Sequence, residues 1–89
     1  MANYLLIRHQ VKDFNTWKTG YDSHLAKRAE AGLSEKHLLQ NTDSPNEVVI
    51  LFETQDLDRA KAFAASADLR ERMQELGVIN KPDIFFLKG

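Results

Sequence analysis

Two aromatic residues, a histidine and an arginine recur within one short window of the chain, "WKTGYDSHLAKR", Trp17 to Arg28. At about 100° per residue, a helix through this window places Arg28 in the arc of Phe14, Trp17, Tyr21 and Leu25, with His24 on the flank of that arc beside Trp17. A cation and a proton-transfer group then share a face with aromatic rings. One chemistry this permits is a pocket in which Arg28 fixes an anionic or enolate oxygen while His24 moves a proton near neutral pH. Each residue also has a plainer reading. Arg28, in the last turn, can snorkel outward to a carboxylate or to the terminal carbonyls. His24 can be half-buried and hydrogen-bonded, and Trp17 and Tyr21, at i and i+4, can be core rather than the walls of a site.

A second histidine, His9, lies in an alternating stretch and points the same way as Leu5, Ile7 and Val11. If that side faces the helices, His9 approaches His24 across the gap between sheet and helix and joins it as a catalytic candidate. His37, near a hairpin, reads as surface. Asp22 and His24 are two positions apart on a helix and point about 200° away from each other, so they do not chelate a metal as a pair. The chain contains no cysteine, which removes disulfides, thiolate catalysis and cysteine-ligated zinc. Phosphate-cradling glycine motifs, H-E-x-x-H and G-x-S-x-G are all missing, so the expectation is no metal and no cofactor.

The elements that must position these residues follow from patterning. Tyr4 to Lys12 alternates as a first strand, with Tyr4, Leu6, Arg8 and Gln10 on the side opposite His9. Asp13 is placed to cap the helix that follows, and Gly32 to stop it. Glu35 to Asn41 reads as a second strand, turned back through "NTDSPNE" into "EVVILFE", Glu47 to Glu53. Asp56 caps a second helical region with Leu57, Ala60, Ala64 and Ala67 on one face. Ser66 caps a further piece in which Leu69, Met73 and Leu76 repeat, ended by Gly77. Lys81-Pro82 breaks the chain before a last strand, "DIFFLK".

The order β-α-β-β-α-β folds most simply as an α+β, ferredoxin-like domain over residues 1–89, a four-stranded antiparallel sheet with both helical regions on one face. Helices on one side leave the other bare. Yet "EVVILFE" carries Val49 and Leu51 on one face and Val48, Ile50 and Phe52 on the other, and "DIFFLK" is likewise apolar on both. Scattered exposed apolar residues are ordinary, but two adjacent two-faced strands make a patch that calls for a cover, and a second copy of the same sheet supplies one. The expected interface includes Ile50 or Leu51 and Phe85 or Phe86.

With its 89 residues, the chain buries only roughly 60–65% of its unfolded surface, so pairing also adds needed burial. Net charge is −1, with basic and acidic residues interspersed, which gives no electrostatic basis for nucleic acid or an anionic membrane as partner. No window approaches the ~20 apolar residues of a membrane span, and the amino terminus lacks the pattern of an export signal, so a cytoplasmic location is the default expectation.

Taken together, "VKDFNTWKTGYDSH", "PNEVVILFETQDLDRAKAFAAS", "DLRERMQELGV" and the closing "PDIFFL" resemble small proteins of the dimeric α/β-barrel superfamily, near the antibiotic-biosynthesis monooxygenase and polyketide-cyclase-like branch. The resemblance covers essentially the whole chain and implies two ferredoxin-like sheets paired face to face. It also implies a homodimer that binds a small apolar or aromatic molecule between sheet and helices, with cofactor-independent monooxygenase or cyclase-like chemistry. On this resemblance "YDSH" matches a stretch in which an acidic residue and a histidine recur at the same spacing. The superfamily's haem-degrading branch brings together an asparagine, a tryptophan and a histidine; here Asn3 and Trp17 do not reproduce that arrangement. The alternative from another class is a non-catalytic dimer whose pocket has closed into core, and a cavity beneath the first helix discriminates the two.

Overall fold

Alternation in the strands becomes two unlike faces of one sheet. The computed structural model describes residues 2–89 and runs β1 (Asn3–Gln10), α1 (Phe14–Ser23), α2 (Leu25–Glu30), β2 (Leu33–Gln40), β3 (Glu47–Thr54), α3 (Leu57–Ala64), α4 (Ala67–Glu75) and β4 (Asp83–Lys88). The four strands lie in the order β2-β3-β1-β4, and every neighbouring pair is antiparallel. This is the ferredoxin-like α+β fold, with each helical crossover divided in two.

Leu5, Ile7 and His9 of β1 and Val48, Ile50 and Phe52 of β3 are buried beneath the helical layer, where the apolar members pack with Trp17, Tyr21 and Ala60. The opposite face is aligned by register into rows that cross the sheet. His37, Leu51, Leu6 and Phe85 form one row; Leu39, Val49, Arg8 and Asp83 form the next, closed by an Arg8–Asp83 ion pair of 2.8 Å. Phe85 is 51% exposed there. Register therefore decides between the alternatives for the bare face: Leu51 and Phe85 lie on it, whereas Ile50 and Phe86 belong to the helix side.

The helix starts are built as the short polar residues dictate. Asp13 accepts from Thr16 N at 2.9 Å, Asp56 from Arg59 N at 3.2 Å and Ser66 Oγ from Leu69 N at 3.2 Å, each cap satisfying one of the amides left open at a helix start. Gly32 and Gly77 follow α2 and α4 with φ of 77° and 85°, the left-handed conformation that favours glycine. After Gly77 the chain pairs with the extension of β1, with Ile79 N donating to Gln10 O at 2.9 Å and a bridge from Val11 to Val78.

Several boundaries differ from the pattern reading. β1 ends at Gln10, and β2 begins at Leu33 and carries a bulge between Glu35 and His37. The first helix is not continuous. At His24 (φ −104°, ψ 19°) it divides: the Tyr21 carbonyl accepts from His24 N at 3.2 Å and from Arg28 Nη1 at 2.6 Å rather than from the Leu25 amide, and the Ser23 hydroxyl donates to Gly20 O at 2.7 Å. The break rotates α2 relative to α1, so Leu25, expected on the buried arc, is 62% exposed. Ala67 likewise leaves the face of Ala60 because it opens the separate helix α4, and it is exposed. Among the described residues no helix is long and apolar enough to cross a membrane.

Candidate functional site

Aromatic residues at i and i+4 on α1 stack along the sheet. The Trp17 and Tyr21 rings lie 4.8 Å apart and 24° from parallel. Arg28 continues the stack, its guanidinium carbon 3.7 Å from the Tyr21 ring centroid, and at the other end the His9 ring meets Trp17 edge-on at 5.3 Å and 73°. Four side chains from β1, α1 and α2 thus form one column, with an imidazole at one end and a guanidinium at the other.

This column is a wall of a cavity of about 70 Å³ between the sheet and the helices. His9, Trp17, Tyr21, His24 and Arg28 all line it. Ile50 and Phe52 line it from β3, and Leu69, Met73 and Leu76 close it from the α4 side. The interior is apolar, while exposed Lys27 and Asp68 and half-buried Arg72 also border it.

His9 is the chemical oddity of the interior. It is 2% exposed, and neither Nδ1 nor Nε2 has a hydrogen-bond partner. Buried polar groups are nearly always satisfied, so an imidazole with both nitrogens unpartnered against a cavity stands out. Burial pushes its pKa down to about 4, which holds the ring neutral around pH 7, with one nitrogen to donate and one to accept.

Arg28 does not snorkel. It is 7% exposed and spends one N–H on the Tyr21 carbonyl and its flat face on the Tyr21 ring, while forming no ion pair among the described residues. The Tyr21 hydroxyl donates to Glu35 Oε1 at 2.7 Å. Burial, reinforced by that bond, raises the phenol pKa against the opposing influence of Arg28, so Tyr21 stays protonated. His24 sits at the α1–α2 break, half-buried, and its side chain does not cap α2. The contact of His9 with the helical layer is to the Trp17 ring. Exposed His37 lies on the opposite face of the sheet.

Pattern reading did not assign α4 or Glu35 to the site. The steps of four and three through Leu69, Met73 and Leu76 marked a buried helix face, but only the folded sheet brings that face opposite α1. Among the described residues, no group of three or more His, Cys, Asp or Glu side chains is placed to hold a metal ion.

No protein-family profile matches the chain, and no curated protein matches it either. Solved structures do. A Bordetella bronchiseptica protein assigned as an antibiotic biosynthesis monooxygenase superposes with a TM-score of 0.76 at 14% identity, over 100% of this chain and 98% of that one. SnoaB, a cofactor-independent oxygenase from Streptomyces nogalater, gives 0.74 at 16% identity over 99% and 92%. Rv0793 from Mycobacterium tuberculosis gives 0.69 at 14% over 100% and 95%. The shared property at these identities is the ferredoxin-like fold, found here over the whole length of the chain.

Proposed function

We propose that the protein is a homodimer that holds a small apolar or aromatic organic molecule between sheet and helices and carries out cofactor-independent oxygenation or cyclase-type chemistry on it. The observation that carries this reading is His9, a neutral, unpartnered imidazole at an apolar cavity. Such a ring accepts a proton from a phenol, an enol or an activated C–H. The anion formed beside it restores the affinity of the imidazole for that proton, because an adjacent negative charge favours imidazolium. An electron-rich carbanion of this kind reacts directly with O2. For a ring methylene, CH2 plus O2 becomes C=O plus H2O, so the substrate is oxidised by the oxygen it consumes. Support for this chemistry comes by analogy with the fold's named oxygenase, SnoaB.

One observation favours the non-catalytic alternative. At about 70 Å³ the cavity is well below the roughly 300–1,000 Å³ of pockets for drug-sized ligands, so a ring system enters only if the α4 side chains turn aside. The test is a thermal-shift screen over aromatic acids and polyketide-like phenols, followed by oxygen uptake with any compound that raises the melting temperature. A hit oxidised by the parent but not by His9→Phe supports the proposal. Absence of any stabilising compound, or equal rates in parent and variant, removes it.

A further inference from the structure

Two side chains of α4 stand between the His9 cavity and a second, larger hollow. Leu69 and Met73, neighbours at i and i+4, line the cavity of about 70 Å³ and also a hollow of about 410 Å³ between α4 and the chain leading into β4. Among the described residues no other borders both. Val78, Pro82 and Ile84 give the outer hollow an apolar lining. Exposed Gln74 and Asn80 border it as well, and Asn80 Oδ1 accepts from Gln10 N at 2.8 Å, which leaves its amide N–H groups to donate. Arg70 and Lys81 also border it but are exposed and screened by solvent.

The partition is built to yield at one point. No residue of α4 is buried, yet both ends of the helix are pinned. Ser66 holds the Leu69 amide at the start; at the end Val78 N donates to Met73 O at 2.9 Å and Lys12 N to Gly77 O at 2.8 Å. Opening therefore falls to side chains rather than to the helix. Leu69 sits in the capped first turn, whereas Met73 is half-buried, unbranched and able to turn about three bonds with little loss of packing. The outer hollow alone is in the size range of small-molecule sites, and the inner one is far below it.

We infer that the two hollows are one site, entered from the α4–β4 side, in which Met73 is the specificity-determining residue that sets how long an apolar molecule reaches His9 while its polar end stays with Gln74 and Asn80. The inference rests on the pocket reading above and assigns it a route and a length limit.

The probes are the straight-chain alcohols from butanol to octanol, titrated into the parent, Met73→Ala and Met73→Phe. His9 ring and Ile50 methyl resonances report the inner cavity, and Ile79 and Ile84 methyls the outer hollow. Short members should move only the outer signals and longer ones both, with affinity rising about fourfold per methylene buried. The length at which His9 first responds should fall in Met73→Ala and rise in Met73→Phe, each variant first checked for unchanged β1 and β3 amide spectra; the parent series tests the route without either. A threshold equal in all three proteins, His9 shifts with silent outer methyls, or no inner shift at any length would each overturn the inference. So would outer methyls that respond to protein dilution and not to alcohol, which would mark the hollow as covered by a second copy. None of these results touches the pocket reading, which the oxygen-uptake comparison with His9→Phe decides by itself.

Discussion

Arg28 holds Tyr21 twice, with its guanidinium carbon 3.7 Å from the ring centroid and its Nη1 2.6 Å from the backbone carbonyl of the same residue. The two contacts join the last turn of α1 to α2 across the break at His24. Arg28→Ala should therefore cost about 2–4 kcal/mol, the sum of a buried cation–π contact and a charge-assisted hydrogen bond. Arg28→Lys keeps the charge but loses the planar fork and should recover only part of it. Chemical denaturation of the three proteins checks this; equal stability of parent and Arg28→Ala would show that the contacts contribute nothing net.

His9 makes stability depend on pH. In the folded chain it takes up a proton only near pH 4, whereas an unfolded histidine does so from about pH 6.5. Between those values the unfolded state binds more protons, so the His9 contribution is complete above pH 6.5 and is lost as the pH falls toward 4, amounting to about 3 kcal/mol. His9→Phe should flatten that window. His24, His37 and the carboxylates remain in both proteins, so the difference between their melting curves over pH isolates His9. An unchanged slope would mean that the buried imidazole finds a partner in solution.

On the bare sheet face, Leu51 and Phe85 flank Leu6 in one row. If a second copy covers this row, light scattering gives twice the chain mass at micromolar concentration, and Leu51→Asp gives monomer or aggregate because a carboxylate buried without a partner is costly. Ile50→Asp, by contrast, should unfold the protomer itself. A parent mass of one chain would refute the dimer.

Gly20 faces the end of α4, and a methyl group there would fall on the Leu76 Cδ2 atom. Alanine is the better helix former by about 1 kcal/mol, but here Leu76 must first swing away. Gly20→Ala should come out near neutral or destabilising, and it should displace the Leu76 methyl resonances, which report on the cavity that Leu76 lines. Full stabilisation by Ala with unmoved Leu76 methyls would contradict the close approach.

Much of this was readable from local chemistry. Asp13, Asp56 and Ser66 announced three helix starts because a short polar side chain at the cap is nearly a local property. The two-faced strands announced a bare apolar face, and alternation placed His9 beside Leu5 and Ile7. The break at His24 was not readable, since at it the Tyr21 carbonyl is shared between the His24 amide and a guanidinium seven positions away. Leu25 was misplaced for the same reason. Nor does spacing reveal that His9 lacks partners, because that depends on every neighbour assembled around it, including an α4 face whose role is set by tertiary packing.

The break at His24 also divides the folding units of the crossover. Helix α2 is left with six residues, below the ~12–15 at which an isolated helix holds itself together, so its order is borrowed from Arg28 and from the start of β2. Its amides should exchange with solvent water through local openings long before those of β1 and β3 open with the whole domain. By this argument the β1 and β3 side of the cavity should exchange slowest and the α2 side, which carries Lys27 and Arg28, among the fastest.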